Sequence, residues 1–228
     1  MLKVSFIIPL YNGLELTQTC LRTLQETLPK DLTYEIIFVD DGSTDGTRDW
    51  LASLPPPCRV ILNATNQRYA GSNNCGAREA SGEYLALLNN DLELLPGWIE
   101  PMLAALDEDR SIALIGNVQR RVDDDAIDHA GIRFRADAKL EHIREIPSPG
   151  SIRRKPIRYV PAVTAACCMV RRKSFLDAGG GFRQEFENGG EDVDLCLALT
   201  DRGHRVAIAL NSVVRHHVSA SRGKARPH

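Results

Sequence analysis

Acidic and amide side chains gather where the apolar runs of this 228-residue chain end, and their spacing decides what chemistry they can do. FVDDGSTDGT places Asp40, Asp41 and Asp45 in a Gly/Ser/Thr turn directly after the apolar run Tyr34–Val39. An ionised carboxylate only accepts hydrogen bonds, so at the carboxyl end of a strand it can take those of a nucleobase imide or a ribose hydroxyl. A structural role covers part of the cluster: Asp45 caps the next helix and Asp40 stabilises the turn. That role leaves Asp41 over. LALLNNDLELLPGW puts Asn89, Asn90, Asp91 and Glu93 after another apolar run. Asn and Asp are ordinary turn residues, but Asp91 also offers the oxygen ligand that a hard divalent cation needs. NGGEDVDLCLALTDRG sets Glu191, Asp192 and Asp194 at a helix start, where the dipole favours acids whatever their function. At about 100° per residue, Asp192 shares a stripe with Cys196 and Leu199, whereas Asp194 lies on the polar side with Asp201. An inward carboxylate at a helix mouth suits general-base work. His216 and His217 follow the apolar run Val206–Val214. A histidine ending a late strand completes a mixed N/O metal site with Asp91, which favours Mn²⁺ somewhat over Mg²⁺.

These clusters need elements that carry them to one place. Val4–Ile8, ended by Pro9, reads as a buried strand. Thr17, Leu21, Leu24 and Leu28 recur at helical spacing, and Pro29 stops that helix. Tyr34–Val39 is a second strand, with a helix through Trp50 to Leu54 that Pro55, Pro56 and Pro57 end. Arg59–Leu62 is a third strand, residues from about Ala70 to Ser81 a helix, and Tyr84–Leu88 a fourth strand. This alternation predicts right-handed βαβ crossovers and a mostly parallel sheet, with ligands beyond the carboxyl ends of its strands. YNG, DDGSTD and NND then share one edge. The pattern loosens after about Gly116. Arg144–Arg158 (REIPSPGSIRRKPIR) reads as a mobile loop, either a solvated lid or a cover for an anionic ligand. Regularity returns at Val163–Val170 and in a helix from Glu191 to Arg202, capped by Gly203. The acid-free tail Arg215–His228 is expected to fray.

Composition narrows the classes. The formal charge is −2, with 43% hydrophobic and 25% charged residues, an ordinary globular balance that argues against a dedicated nucleic-acid binder. The length supports a full core without disulfides. Tyr159–Val170, the longest uncharged stretch, falls short of the ~20 residues needed to span a bilayer. MLKVSFIIPLYNG lacks the features of a signal peptide and reads as a first strand. The six cysteines form no CxxC pair or zinc-ligand spacing, which predicts reduced, buried thiols in an intracellular protein. There is no P-loop, GxGxxG, HExxH or GxSxG sequence.

Taken in order, IIPLYNG, VDDGSTDGT, NQRYAGSNNCGA, LLNND and ENGGEDVDLCLALTDRGHRV with HHVSAS resemble the family 2 glycosyltransferases of GT-A fold. The likeness covers nearly the whole chain and is strongest to bacterial enzymes that build O-antigen and other surface polysaccharides, rhamnosyltransferase-like members among them. It implies an α/β, Rossmann-like GT-A domain over 1–228, with a mostly parallel sheet flanked by helices. Residues 1–116 form the nucleotide-sugar half and 117–228 a smaller acceptor half with the base, and a continuation of the chain past 228 is allowed for. By position, Pro9, Tyr11 and Asn12 line the nucleotide pocket, Asp41 contacts the base, and Asn66 and Gly71 flank it. Asn89, Asn90 and Asp91 form a DxD-like motif, with Asp91 on the metal and diphosphate. Asp192, second of the Glu191–Asp192 pair, is the catalytic base, and His216 rather than His217 closes the metal site. The implied cofactor is Mn²⁺ or Mg²⁺ and the donor a UDP-, dTDP- or GDP-linked sugar. The acceptor is a saccharide or lipid-linked saccharide, and no nucleic acid is involved. The implied setting is cytoplasmic, with peripheral association at the inner membrane face. The chain departs from the family at Asn89 (usually Asp), at Arg183 (Asp of GGFDE) and at Asn73 (often Arg). His129, in DHAGIRF, falls in a recurrent acceptor-side segment and receives no role. The rival readings are a catalytically silent nucleotide-sugar-binding module and a nucleotidyltransferase; the second needs a Gly-rich, Arg-bearing loop that YNGLELT lacks.

Overall fold

The computed structural model describes residues 2–186 and 189–218. Its first half alternates strand and helix as the apolar periods predict: β1 (Val4–Leu10), α1 (Leu14–Thr27), β2 (Tyr34–Asp40), α2 (Thr47–Ala52), β3 (Cys58–Leu62), α3 (Arg68–Glu79) and β4 (Tyr84–Leu88). Successive strand side chains point to opposite faces, so the unbroken apolar runs feed two cores. Phe6 and Ile8 join Leu21 and Leu24 of α1 on one face, while Ile7 joins Ala70 and Ala77 of α3 on the other. α3 rides close to the sheet, since a Cβ on Gly76 would stand 2.6 Å from Ile7 Cγ2. Each such buried aliphatic or phenyl side chain stabilises the fold by roughly 1.5–3 kcal/mol.

The second half continues with β5 (Leu92–Leu94), α4 (Glu100–Glu108), β6 (Ile112–Arg121), β7 (Ile127–His129), β8 (Ile132–Phe134), β9 (Leu140–His142), α5 (Pro149–Arg154), β10 (Ile157–Tyr159), β11 (Cys167–Arg171), α6 (Arg172–Asp177), α7 (Glu191–Asp201) and β12 (Arg205–His216). The main sheet runs β10-β12-β6-β11-β4-β1-β2-β3, with β5 on β12 and β7 on β6; β8 and β9 pair separately. β3, β2, β1 and β4 are mutually parallel, as are β6 and β12, whereas β11 runs antiparallel between β4 and β6. The architecture is therefore the expected α/β one, a mixed, mostly parallel sheet flanked by helices. It spans both expected halves, and their boundary at 116 falls inside β6.

Three expectations are corrected. The chain does not loosen at Gly116: β6 continues to Arg121 and stays buried through Gln119. Its period was masked by buried polar residues, of which Asn117 donates to Cys167 Sγ at 3.1 Å. Arg144–Arg158 is not all loop, because it holds α5 and the start of β10. α5 buries no residue fully, so a six-residue helix there leaves no apolar period. Arg215 and His216 are not tail, because they pair with Glu93 and Leu92 at the end of β12. The fraying expected further on concerns residues 219–228, outside the described residues. Cys20, Cys167, Cys168 and Cys196 are buried free thiols, and burial pushes the first two and Cys196 up to about 12. Among the described residues no helix is long and apolar enough to cross a membrane.

Candidate active site

β1 and β4 are neighbours at the point where the strand order reverses, so a crevice opens beyond their carboxyl ends. The turns after β1, β2 and β4 meet there. Asn12 is left-handed (φ 58°); its N–H donates to Ser43 Oγ at 2.7 Å and its Oδ1 accepts from Thr44 N–H at 2.7 Å. YNG is thus locked to DDGSTD. Asp45 Oδ2 accepts from Gly13 N–H at 2.7 Å and Leu14 N–H at 3.2 Å, and its Oδ1 accepts from Thr47 N–H at 3.2 Å. One side chain caps the starts of α1 and α2, whose own N-cap positions are the side-chain-free Gly13 and Gly46. Asp40, fully buried, accepts from Gly42 and Ser43 N–H at 3.2 Å and from Arg48 Nε at 2.5 Å.

Asp41 also has a structural role, which corrects the expectation that the turn leaves it over. It is 5% exposed. Oδ1 accepts from Asn63 Nδ2 at 2.8 Å and Gln67 N–H at 2.7 Å, and Oδ2 from Arg68 N–H at 2.9 Å. It caps α3 from 26 residues upstream, a distance no local pattern reveals. Those three contacts occupy most of a carboxylate's roughly four acceptor sites. Asn66 donates to Asp41 O at 3.3 Å and accepts from Arg68 N–H at 3.0 Å, which keeps it at the same α3 start. Gly71 is buried in α3, where a Cβ would meet Gln67 Cβ at 2.8 Å. Pro9 is enclosed in β1 opposite Val39. Tyr11, 56% exposed beside Gly42, is the aromatic surface this edge presents to solvent.

The other side of the crevice is built by β11 and β12. Asp91 is 2% exposed, and His216 Nε2 lies 3.1 Å from its Oδ1. The pairing of β5 with β12, which sets His216 opposite Leu92, brings the two together. His217 goes elsewhere: its backbone N–H donates to Asp91 O at 3.0 Å and its ring meets Glu93 Oε1 at 3.0 Å. Asn90 braces the crevice, donating to Thr17 Oγ1 at 2.9 Å and, more weakly, to Asn12 O at 3.5 Å. Asn89 N–H donates to Ala166 O at 2.8 Å. One residue before, Ala165 N–H donates to Asp192 Oδ2 at 3.3 Å, and Val193 N–H donates to Asp192 Oδ1 at 2.8 Å. Asp192 is half-buried at the rim of the apolar face formed by Val193, Cys196 and Leu199, and the more enclosed acid is Glu191. Asp194 on the polar side meets Arg183 Nη1 at 3.4 Å, so this departure from GGFDE supplies an ion-pair partner. Asn73, the other departure, is fully buried and donates to Tyr69 O at 2.9 Å.

His129 sits behind this wall. Its Nε2 accepts from Gly131 N–H at 3.2 Å and Thr164 N–H at 3.4 Å, and its Nδ1 lies 3.2 Å from His142 Nδ1. Burial first, then the neighbouring His142 and His216, hold it down at about 3, so it is a neutral acceptor at ordinary pH.

Do these residues fit a cation? A buried carboxylate and an imidazole nitrogen within 3.1 Å form an O/N pair suited to Mn²⁺ or Mg²⁺. The fit is partial. Among the described residues no three His, Cys, Asp or Glu side chains gather, so the remaining ligands must come from substrate oxygens and water. Among the described residues His216 Nδ1 is buried without a hydrogen-bond partner.

A crevice at the reversal of strand order, with a buried carboxylate–imidazole pair and a helix-mouth carboxylate near it, is where an open α/β sheet binds its ligand. The glycosyl transferase family 2 model matches residues 5–179, and the chain belongs to that family. Its fold is GT-A. It is 30% identical over 96% of its length to the uncharacterized protein y4gI of Sinorhizobium fredii, and 31% identical over 96% of its length to the O-antigen biosynthesis protein RfbC of Myxococcus xanthus. The matched regions are 25% and 18% of those proteins, so the chain spans a quarter or less of each relative. Among solved structures, GalNAc-T7 crystallised with UDP, GalNAc and Mn²⁺ superposes with a TM-score of 0.80 at 18% identity, over 95% of this chain and 44% of that one.

Proposed function

We propose that the protein is an inverting, metal-dependent glycosyltransferase of surface-polysaccharide biosynthesis. It moves a sugar from a UDP-, dTDP- or GDP-linked donor to a hydroxyl of a saccharide or lipid-linked saccharide, working at the cytoplasmic face of the membrane. The observation that carries the reading is the single wall on which Asp91 and His216 lie 3.1 Å apart while Asp192 is tied, through Ala165 and Ala166, to Asn89 of the same motif. Family membership and the O-antigen naming of RfbC support the reaction class and its setting.

Asp91 and His216 would hold the cation, Mn²⁺ or Mg²⁺, which would supply Lewis-acid stabilisation of negative charge on a diphosphate. Tyr11 stacks on the base, and the capped start of α3 with Asn66 borders the ribose. Asp192 orients an acceptor hydroxyl and takes its proton as the oxygen bonds to the anomeric carbon. The bond from that carbon to the diphosphate oxygen breaks on the opposite face, so the configuration inverts. The Ala165 N–H keeps the Asp192 carboxylate aimed before the proton arrives.

The test is release of nucleotide from UDP-, dTDP- and GDP-sugars in the presence of Mn²⁺. Wild type should turn over at least one donor. Asp192→Asn should lose activity by roughly 10²–10⁴-fold with nucleotide affinity unchanged. Near-normal transfer by that variant removes the base assignment, and wild-type binding without any release leaves the silent nucleotide-sugar module.

A further inference from the structure

The segment leading into β11, Ala162 to Ala166, has no long side chain with which to hold itself, yet it touches both Asn89 and Asp192. Ile132 N–H donates to Ala162 O at 2.8 Å, Asn89 N–H donates to Ala166 O at 2.8 Å, and Ala165 N–H reaches Asp192 Oδ2 at 3.3 Å. Besides Asp192, side chains from other elements hold it, Cys196 Sγ at 4.0 Å from Val163 O among them. His129 Nε2 accepts from Thr164 N–H at 3.4 Å, and Tyr69 Oη donates to Ala165 O at 2.9 Å. The Tyr69 contact joins residues 96 apart in sequence.

We propose that Tyr69 is a positioning residue of the transfer reaction: its hydroxyl fixes the Ala165 residue whose N–H aims the Asp192 carboxylate, so the donor-side helix α3 sets the place of the base. The inference rests on the reading of Asp192 given under Proposed function.

Tyr69 is itself placed by the nucleotide side of the crevice. Asp41 binds the N–H groups of Gln67 and Arg68, the two residues before it. Arg68 is held at φ 59°, a conformation that residues other than glycine rarely adopt, and its N–H is held there by Asp41 Oδ2 at 2.9 Å and Asn66 Oδ1 at 3.0 Å. The phenol ring is braced against Phe182, with ring centroids 6.0 Å apart, and Phe182 is fixed by paired hydrogen bonds to Asn74 at 2.7 and 2.8 Å. A continuous path therefore runs from Asp41 through the start of α3 and Tyr69 to Ala165 and Asp192. Desolvation, followed by the nearby Cys168, Asp192 and Glu191, pushes the phenol well above its ordinary value, so it remains a donor across the working range.

Tyr69→Phe removes the hydroxyl and keeps the ring against Phe182. With Mn²⁺ and a donor that wild type turns over, kcat should fall roughly tenfold, because a small displacement of a catalytic group is costly. Donor KM and nucleotide affinity should stay close to wild type, while loss of the buried hydrogen bond should lower the melting temperature by a few degrees. In an Asp192→Glu background, whose base is already displaced, the same substitution should cost less than about twofold more, as expected of residues that act as a unit. A merely structural hydroxyl would lower the melting temperature while leaving kcat per folded molecule unchanged, or give losses that multiply. Wild-type kcat in Tyr69→Phe, or multiplying losses in the double variant, overturns the proposal. If Asp192→Asn is inactive while Tyr69→Phe is normal, this inference alone falls; if Asp192→Asn is active, the base assignment fails first.

Discussion

The two walls of the crevice use the same residue type at the same kind of place and surround it with different numbers of hydrogen-bond donors. On the β2 side, Asp40, Asp41 and Asp45 each accept from several backbone or side-chain donors. On the β4–β12 side, the described partner of the Asp91 side chain is His216, and Asp192 accepts from Ala165 and its own neighbour Val193. A carboxylate can accept about four hydrogen bonds. Where donors fill that capacity the acid is architecture; where they do not, capacity remains for a cation or an incoming hydroxyl. Convergence of N–H groups, rather than the presence of an acid at a strand end, separates scaffold from chemistry.

The sharpest way to break this contrast is Asp91→Asn. It should abolish metal-dependent turnover, by roughly 10³-fold or more, and remove the Mn²⁺ dependence of nucleotide binding. Its melting temperature should be unchanged or higher, since a buried anion with one partner is a poor source of stability. Calorimetric melting beside a nucleotide-release assay reads both. A large drop in melting temperature with proportional loss of activity would place Asp91 with the structural acids.

The second test moves to the rear of β2, where Glu35 is the counterpart of the saturated acids at its front. Glu35 is 5% exposed and accepts from Ser5 Oγ at 2.7 Å, Ser81 N–H at 2.8 Å, Ser81 Oγ at 2.7 Å and Arg59 Nη1 at 2.8 Å. Burial works to raise its pKa, but the Ser81, Arg59 and Ser5 donors outweigh it and hold the group at about 2, against an ordinary 4.5. A depressed folded-state value means stability that is present above the unfolded value and lost as pH falls. Glu35→Gln should therefore cost on the order of 2–3 kcal/mol at neutral pH, and the difference from wild type should vanish as pH falls from about 4.5 toward about 2. Activity per folded molecule should not change. Urea titrations at neutral and acid pH measure it, and a pH-independent difference would show that the charge is not the source.

Much of the scaffold was legible because its signals are local. The apolar run Val4–Ile8 marks β1, which continues through Pro9 to Leu10, the helical spacing of Thr17, Leu21 and Leu24 before Pro29 marks α1, and Pro55 follows α2. The candidate site was legible as a set of residues, since each cluster follows a strand, and the resemblance ordered them. What the chain could not announce was who pays each acid's hydrogen-bond debt. Asp41 answers to Gln67 and Arg68, Asp45 to Gly13 and Leu14, and the Asp192 carboxylate to Ala165, pairings set only by the sheet order. For the same reason Tyr69 escaped notice: nothing in NQRYAGSNN says that its hydroxyl meets a backbone carbonyl on the far side of β4. β6 was cut short because Asn117 and Gln119, both buried, look like the residues of a loop.

The smallest effect belongs to Asp45, and it tests the contrast from the exposed end. Asp45 is exposed, yet its two oxygens cap α1 and α2 together. Slight desolvation is outweighed by the Thr47, Leu14 and Gly13 donors, which hold its carboxyl below the ordinary 3.8. Asp45→Ala leaves Gly13, Leu14 and Thr47 N–H groups to water, which replaces the lost partner at exposed helix starts and limits the cost to about 1 kcal/mol. The sign again follows from a lowered folded-state value: the contribution is complete above the ordinary carboxylate range and disappears as pH falls below it. Near neutral pH the variant should melt a few degrees lower with kcat unchanged, and at low pH the two melting curves should converge. Because Asn12 is tied to Ser43 and Thr44 rather than to Asp45, the YNG turn should keep its place and donor KM should shift little. A loss of kcat without a change in melting temperature would mean that this acid touches the substrate, and that donor count does not separate the two walls.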